Sequence, residues 1–540
     1  MLFIFAFIIA LVVTMLLIPP VMKWADKIGA IDIPDARKVH TQAIPRVGGI
    51  AMVAGSVISI LLLAELDQQV LAILAGFLVI WGFGLWDDKC DLNYKVKFLG
   101  QLLAVVIVVT WGDVIVRTFP FIDDHIPDYL AIPLTIFALV GITNAINLSD
   151  GLDGLAGGTS LITISIIALL AYDAGGEMVV LISMAVAGSI LGFLRHNTYP
   201  ARLFMGDTGS QFLGFSLGVM VIVLSQSVNS AMSPVIPLLI LGLPILDTFA
   251  VMIQRLYERR SPFSPDKNHI HHKLLALGLG HYEAVFAIYL LQSTFVAVAY
   301  FMLYESDLIL SVIYVVLSAF VIGIFSVAPK GGLKMGTLQA GTLANASRYV
   351  SYLHEKGLLV TVPTYFLKVM VPVLFIVPAA IIETVSFDMS ILSLLLLVMI
   401  VLSPVIKFDK GSVLEKAVIY VLAVMTAYQL SQGLLDEQVN LIVNYLLIFV
   451  AIAFALRVRF CRDKTFQVTP LDYLVIVLVV VVPNLPETHI DGDYIGEMAI
   501  KLVVLFYACE ALLGMKQRKW NLLRISAVAS LVVMSLRGVI

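Results

Sequence analysis

Long apolar runs separated by short polar segments recur along the whole chain of 540 residues. Runs close to the roughly 20 residues that cross a bilayer as a helix predict about 18 membrane-spanning helices. The first eleven runs lie near residues 2–22, 47–66, 70–86, 98–117, 129–147, 158–173, 177–194, 209–229, 233–254, 282–304 and 307–328. About seven more lie near residues 365–384, 389–406, 412–430, 439–456, 469–483, 496–514 and 521–537. The pattern therefore predicts an all-α polytopic membrane protein.

Lysines and arginines test this count. They cluster after the first, ninth and eleventh runs, and again after later odd-numbered runs, whereas the intervening segments are often acidic. Because basic residues accumulate in cytoplasmic loops, this alternation places both chain ends outside the cytoplasm. The first run, MLFIFAFIIALVVTMLLIPPV, has no basic start and no small-residue cleavage site, so it predicts a spanning helix rather than a removed signal peptide.

The longest polar break after the eleventh run covers residues 329–364. It predicts a cytoplasmic linker between a first membrane domain, residues 1–328, and an additional one, residues 365–540. A short surface helix inside the linker is the alternative. No internal repeat links the two regions.

Composition excludes a water-soluble protein. Hydrophobic residues make up 60% of the chain and charged residues 13%, with a mean hydropathy of +1.00, whereas soluble domains carry about 25% charged residues. The formal net charge of −3 gives no indication of a nucleic-acid partner, and three cysteines do not form a disulfide framework.

Four separate polar segments offer acidic side chains, histidines and glycines to the predicted cytoplasmic face. The chemistry-bearing residues are Asp87, Asp88, Asp150, Asp153, Asp207, His269, His271 and His272. Each segment has an ordinary explanation, because aspartates cap helices, glycines form turns, and histidines occur in polar loops. Their convergence on one face favours a functional site.

The residue types indicate phosphate chemistry. Hard carboxylate ligands favour Mg²⁺ or Mn²⁺ over zinc, and HIHHK has no cysteine near it and lacks the spacing of a zinc motif. Glycines beside aspartates let backbone N–H groups approach an anion, and Lys38, Arg46 and Lys97 add positive charge. The histidines then suit donation to phosphate oxygens, including in the protonated form. Together these features favour phosphoryl transfer on a nucleotide-like substrate.

Five motifs in order carry a family resemblance: RKVHTQAIPRVGG, WDD followed by VKFLGQ, NAINLSDGLDGLAGG, RLFMGDTGSQFLG and SPDKNHIHHKL. Over about residues 1–328 the chain resembles the polyprenyl-phosphate N-acetylhexosamine-1-phosphate transferases. The resemblance implies an enzyme of a bacterial inner membrane, with its active site on the cytoplasmic face. It would transfer sugar 1-phosphate from a UDP-N-acetylhexosamine to undecaprenyl phosphate, release UMP and start a cell-envelope glycan such as O-antigen.

The resemblance also implies residue roles. Asp207 would bind Mg²⁺ or Mn²⁺, with Asp87 and Asn147 as further metal ligands, and Asp87 and Asp88 would bind or activate the lipid phosphate. Asp87, Asp88, Asp207 and His271 form the predicted catalytic set. The predicted substrate-binding residues are Lys38, Arg46, Lys97, Asn147, Asp150, Asp153, Asn197, Phe204, His269 and His272, with Phe204 stacking on uracil.

Two points of chemistry stay open. A phosphate monoester has its second pKa near 6, so the lipid phosphate needs little help from a base; this favours direct attack on phosphorus over a covalent aspartyl-phosphate. The interrupted histidine run, HIHH, and IPRVGG resemble the UDP-GlcNAc branch of the family. UDP-GalNAc, UDP-QuiNAc and UDP-FucNAc remain alternatives, because one or two contacts separate such sugars.

The second membrane region departs from the family, whose members end near the eleventh run. Its acidic residues, such as Glu383, Glu415, Glu437 and Glu510, are scattered. A structural role, including homodimer formation, is the simplest interpretation, and a transport function stays open there. A transporter is disfavoured for residues 1–328, because transporters place ionisable groups at mid-membrane on broken helices. A non-catalytic scaffold is the other alternative.

Overall fold

The computed structural model describes residues 2–32, 43–122, 124–261, 268–327, 358–381, 385, 387–402, 411–431, 437–460, 495–513 and 521–537. Helices dominate these ranges, as predicted, and nine of them are long and apolar enough to cross a membrane. The described helices fall into two compact units, the first ending with the helix that reaches Val327 and the second beginning with the helix that starts at Leu358.

The described residues of the first unit form thirteen α-helices and two short strands. The helices are α1 Leu2–Ile28, α2 Gly48–Leu63, α3 Gln68–Cys90, α4 Tyr94–Thr110, α5 Asp128–Ser149, α6 Leu155–Asp173, α7 Glu177–Asn197, α8 Gly206–Val223, α9 Ile236–Ile240, α10 Gly242–Tyr257, α11 Ile270–Ala276, α12 His281–Phe301 and α13 Asp307–Val327. Strands β1 (Ile31–Asp32) and β2 (Ile44–Pro45) pair antiparallel, with Ile31 opposite Pro45. A π-helical turn, Leu224–Val228, continues α8.

Close helix packing builds this unit around α8. Helix α8 packs on α3 and α5, and α7 packs on α1 and α6. Nearly every residue of α8 is buried, so its apolar surface faces protein on all sides. A Cβ on Gly214 of α8 would lie 2.7 Å from Thr143 Cα, which shows how closely the backbones of α5 and α8 approach. Small residues permit such approach between membrane helices.

Two predicted spans differ from the structure. The run at 98–117 is helical only to Thr110 at the end of α4, and the residues that follow form a loop. The run at 233–254 is divided at Leu241 into α9 and α10. Pro244 has no amide proton to donate to Ile240 O, a bond that a continuous helix would need at this point, and this explains the division. The predicted span at 469–483 and the linker at 329–364 lie outside the described residues.

The second unit contains six described helices. They are α14 Leu358–Ile381, α15 Phe387–Leu402, α16 Gly411–Ser431, α17 Glu437–Phe460, α18 Ile495–Leu513 and α19 Asn521–Arg537. One apolar core, with Phe375, Leu422 and Leu505 fully buried, joins helices of this unit. Polar contacts sit among these helices: Arg524 pairs with Glu415 at 3.3 Å, and Lys501 Nζ donates to Leu430 O at 2.6 Å.

Candidate active site

A cavity of about 790 Å³ opens where α3, α5 and α7 end and α4, α6 and α8 begin. Its walls come from helix ends, from the turn between α5 and α6, from the loop between α7 and α8, and from β1 and β2. The lining residues are Asp32, Ile44, Arg46, Asp88, Asn147, Asp150, Gly151, Leu152, Asp153, Asn197, Tyr199, Pro200, Ala201, Phe204, Gly206, Asp207, Ser210, His272 and His281. Polar segments far apart in sequence thus share one cavity at one end of the bundle.

Four residues from four helices form what we call the lysine cluster: Asp87, Lys97, Asn147 and Asp207. Lys97 Nζ lies 2.6 Å from Asp87 Oδ2 and 3.3 Å from Asp207 Oδ2. Asn147 Nδ2 donates to Asp207 Oδ1 at 2.8 Å and to Ser210 Oγ at 2.7 Å. Asp87 is buried and also accepts from Leu92 N. The structure therefore joins these four predicted residues, with Asp207 and Asn147 reaching the cavity.

Asp88 caps α8. Its carboxylate accepts hydrogen bonds from Asp207 N at 2.7 Å, from Thr208 N at 3.1 Å and from Thr208 Oγ1 at 2.6 Å. The first N–H groups of a helix have no partner within the helix, and a carboxylate there also complements the helix dipole. Gly206 has a positive φ of 69°, and a Cβ there would lie 2.5 Å from the Asp88 oxygens. Asp88 thus holds the backbone that carries Asp207.

The turn between α5 and α6 contributes two more carboxylates. Asp153 Oδ2 accepts from Ala201 N at 2.9 Å, and Asn197 bridges Gly154 N and Leu203 O. These bonds tie the turn to the loop after α7. Gly154, with φ 79°, begins α6 in a conformation that glycine adopts without steric cost.

Negative charge is concentrated beside this turn. The surrounding protein and, after it, the nearby carboxylates of Asp207 and Asp153 raise the pKa of Asp150 above its ordinary value, although its side chain is exposed to the cavity. Like charges so close together disfavour the ionised forms. A bound cation would relieve this repulsion.

Arg46 supplies positive charge to the cavity lining. Its guanidinium pairs with Asp32 of β1, and its Nη1 lies 3.8 Å from Asp91. Arg46 N also donates to Ala30 O at 2.9 Å, so both its backbone and its side chain are fixed. Lys38 lies outside the described residues.

The histidine segment is divided between the cavity and the protein interior. His272 lines the cavity, whereas His269 and His271 are buried and do not line it. Asp247 of α10 contacts His269 Nδ1 at 2.9 Å and accepts from Ile270 N at 2.9 Å. His271 Nε2 lies against Gly151, whose missing Cβ leaves the necessary space. His269 and His271 therefore stand behind the cavity wall that His272 and Gly151 form.

Burial also decides the charge of His271. Desolvation, and then the neighbouring His272, lower the pKa of His271 to about 3. This corrects the expectation of protonated histidines at this position: His271 is neutral at physiological pH and donates through one ring N–H only.

Acidification should therefore destabilise the fold through His271. Its folded-state pKa lies below the ordinary value of 6.5, so its contribution to stability is complete above pH 6.5 and decreases as the pH falls toward 3. At pH 5 the loss is about 2 kcal/mol. We expect His271→Gln to show a smaller decrease in Tm between pH 7.5 and pH 5 than wild type. Equal decreases in the two proteins would contradict the assignment.

An aromatic cluster on the cavity rim was not predicted from the sequence. Tyr199 and His281 stack with ring centroids 4.2 Å apart, and Tyr282 packs edge-on against Tyr199. His281 Nε2 lies 3.3 Å from Asp153 O. Asp32 and Asp247 were missed as well. For Asp247 the sequence did contain a signal, because a single acidic residue stands in the apolar run GLPILDTFAVM.

The oxygen ligands at the cavity fit Mg²⁺, although the described residues contain no group of three His, Cys, Asp or Glu side chains arranged around a metal site. Mg²⁺ commonly uses one or two carboxylates together with water and substrate phosphates. Asp207 offers a partly exposed carboxylate beside Asn147, and Asp150 stands on the same cavity wall. Asp87 is buried and paired with Lys97. Its role as a metal ligand stays a prediction, as do those of Asp207 and Asn147.

Comparison with known proteins identifies a family and several relatives. Residues 70–225 match the family described as glycosyl transferase family 4. The chain is 43% identical over 293 residues to a Bacillus subtilis protein named a probable undecaprenyl-phosphate N-acetylglucosaminyl 1-phosphate transferase, covering 54% of this chain and 82% of that protein.

Two further relatives carry similar names. A Mycobacterium tuberculosis decaprenyl-phosphate N-acetylglucosaminephosphotransferase is 36% identical, over 52% of this chain and 78% of its own. An Escherichia coli undecaprenyl-phosphate alpha-N-acetylglucosaminyl 1-phosphate transferase is 30% identical, over 48% and 73% respectively. With 43% identity over 82% of the Bacillus subtilis protein, the chain belongs to the polyprenyl-phosphate hexosamine-1-phosphate transferase family.

Proposed function

We propose that this multi-pass membrane enzyme transfers N-acetylglucosamine 1-phosphate from UDP-GlcNAc to undecaprenyl phosphate and releases UMP, at the cytoplasmic face of a bacterial inner membrane. Transfer of sugar 1-phosphate to a polyprenyl phosphate follows from the family. The observation that best supports it is the lysine cluster, which holds a cation between the Asp87 carboxylate and the cavity-lining Asp207 carboxylate. The choice of GlcNAc rests on the names of the relatives.

Binding of the nucleotide sugar is assigned to the polar cavity. Its volume of about 790 Å³ lies within the range of small-molecule sites, about 300–1,000 Å³. Phe204 and the stacked pair of Tyr199 and His281 give it apolar surface for rings. Arg46 and His272 give it donors for phosphate oxygens. The fixed backbone around Arg46 reduces the ordering cost of binding.

The lysine cluster suits the reacting phosphates. Lys97 lies between Asp87 and the cavity-lining Asp207, and its side chain is 32% exposed, so its ammonium group can approach an anion without leaving its carboxylate partners. Mg²⁺ bound at Asp207 would supply further positive charge to the diphosphate. The clustered carboxylates at Asp207 and Asp150 support such a cation, since their mutual repulsion needs compensation.

The contacts of the aspartate pair favour direct transfer. Asp87 is already bound to Lys97 and Leu92 N, and Asp88 is bound to the start of α8. We infer that both are positioning groups and that the lipid phosphate itself is the nucleophile. Its oxygen forms a bond to the sugar-linked phosphorus, the bond from that phosphorus to the bridging oxygen breaks, and UMP leaves with the electron pair. No proton has to be removed from a dianionic phosphate.

A direct assay tests the function. Purified protein in detergent is incubated with undecaprenyl phosphate, Mg²⁺ and one UDP-N-acetylhexosamine at a time, and UMP release is measured. We expect release with UDP-GlcNAc, its loss on addition of EDTA and its recovery with excess Mg²⁺. Faster release with UDP-GalNAc, UDP-QuiNAc or UDP-FucNAc would reassign the sugar. Folded protein that releases UMP with none of them would refute the proposed function.

A further inference from the structure

Three amide side chains lie beneath the lysine cluster, and we call them the amide network: Gln101 and Gln211, which are buried, and Asn144, which is partly buried. Gln101 Nε2 donates to Gln211 Oε1 at 3.1 Å, and Asn144 Nδ2 donates to Gln101 Oε1 at 2.7 Å. Gln101 and Gln211 are each only 3% exposed. Asn144 Nδ2 also donates to Val140 O of its own helix at 2.8 Å. The network links α4, α5 and α8.

Each residue of the amide network lies three or four residues from a residue of the lysine cluster on the same helix. Gln101 follows Lys97 by four residues on α4, and Gln211 follows Asp207 by four on α8. Asn144 precedes Asn147 by three on α5. Residues three or four apart lie on one helix face, about one turn or 5.4 Å from each other. On each of these helices the amide therefore lies about one turn deeper in the bundle than the residue of the lysine cluster.

Burying an amide in an apolar bundle costs free energy unless the amide is hydrogen-bonded. Helix arrangements that leave an amide without its partner are therefore disfavoured. Rotation or sliding of α4 against α8 would separate Gln101 from Gln211 and leave polar atoms unpaired. The same movement would change the distance from Lys97 Nζ to Asp207 Oδ2. Close packing of α5 on α8 at Gly214 and Thr143 leaves little room for another register.

We propose that the amide network is a positioning device for the lysine cluster, and that Gln101, Asn144 and Gln211 set the reacting geometry without touching substrate. The proposal rests on the proposed function, since it assigns the lysine cluster to the transfer step. It predicts an effect on the rate of the bound complex rather than on substrate binding, because the cavity-lining residues are left in place.

The test is Gln101→Leu, which removes the amide at nearly constant volume. We expect kcat for UMP release to fall about 10- to 100-fold, since small misplacements of reacting groups cost up to about 100-fold. KM for UDP-GlcNAc should change by less than about threefold, because ground-state contacts remain. Gln101→Leu combined with Gln211→Leu should cost less than the product of the two single effects, because both remove the same hydrogen bond.

Gln292→Leu is the matched control. Gln292 is fully buried and donates between helices to Thr163 Oγ1 at 3.0 Å and Ile240 O at 2.8 Å, away from the lysine cluster. We expect it to lower Tm as Gln101→Leu does, with kcat unchanged. Gln101→Met and Gln211→Met repeat the test if the leucine variant does not fold. The proposal would be overturned if folded Gln101 variants kept the wild-type kcat, or if Gln292→Leu lowered kcat as much as Gln101→Leu does. A wild-type protein that releases no UMP would instead refute the proposed function.

Discussion

Asp207→Asn should abolish transfer, with UMP release lower than wild type by at least about 10³-fold, the scale on which loss of a charged group at a reacting centre acts. Asp207 receives Asn147 Nδ2 on one oxygen and Lys97 Nζ on the other. An asparagine of equal size removes the negative charge and turns an NH₂ group toward one of these donors. The lysine cluster then loses its cavity-facing carboxylate, and a divalent cation bound there, as we propose, would lose a ligand.

Asp307→Asn is a suitable control for this variant. Asp307 also accepts two hydrogen bonds, from Phe121 N at 2.9 Å and Ser233 Oγ at 2.5 Å, but it lies near the other ends of α4 and α5. Its activity should match wild type. UMP release is measured with UDP-GlcNAc, undecaprenyl phosphate and Mg²⁺, and Tm confirms that both variants fold. More than a tenth of wild-type activity in Asp207→Asn would contradict its assigned role.

The apolar pattern predicted most helices because a bilayer leaves the chain few alternatives: a run that crosses must satisfy its own backbone hydrogen bonds. It also predicted which polar segments meet. Alternating spans bring every second helix end to the same face, so Asn147 near the end of α5 and Asp207 at the start of α8 had to lie on one side. Their 2.8 Å contact depends on side-chain packing, which the alternation of spans does not predict.

The direction in which a side chain points could not be predicted from the sequence. Three histidines in one motif look equivalent, but α11 presents His272 to the cavity and turns His271 inward. The difference depends on Asp247, more than twenty residues earlier, which fixes Ile270 N at 2.9 Å. Gln101 was likewise inside a recognised motif, VKFLGQ, but its partners come from two other helices. Apolar periodicity carries no information about such pairings, since it reports burial and not partners.

Asp88→Ala should cost both stability and activity. Asp88 accepts from Asp207 N and Thr208 N at the start of α8, and loss of a helix cap costs about 0.5–2 kcal/mol. The same bonds set the direction in which the Asp207 side chain leaves the helix, so we expect UMP release to fall at least about 100-fold. The measurements are Tm and kcat on the same preparation.

Asp67→Ala separates the two effects. Asp67 caps the start of α3, at the end of that helix away from the cavity, and accepts from Val70 N at 2.8 Å. Its loss should lower Tm with little change in kcat, because the cap carries no reacting group. If Asp88→Ala lost activity at an unchanged Tm, the carboxylate would act on substrate rather than on α8. If Asp88→Ala lowered both Tm and kcat while Asp67→Ala lowered only Tm, the Asp88 carboxylate would have two roles. It would cap the start of α8, and it would direct the Asp207 side chain toward the phosphate.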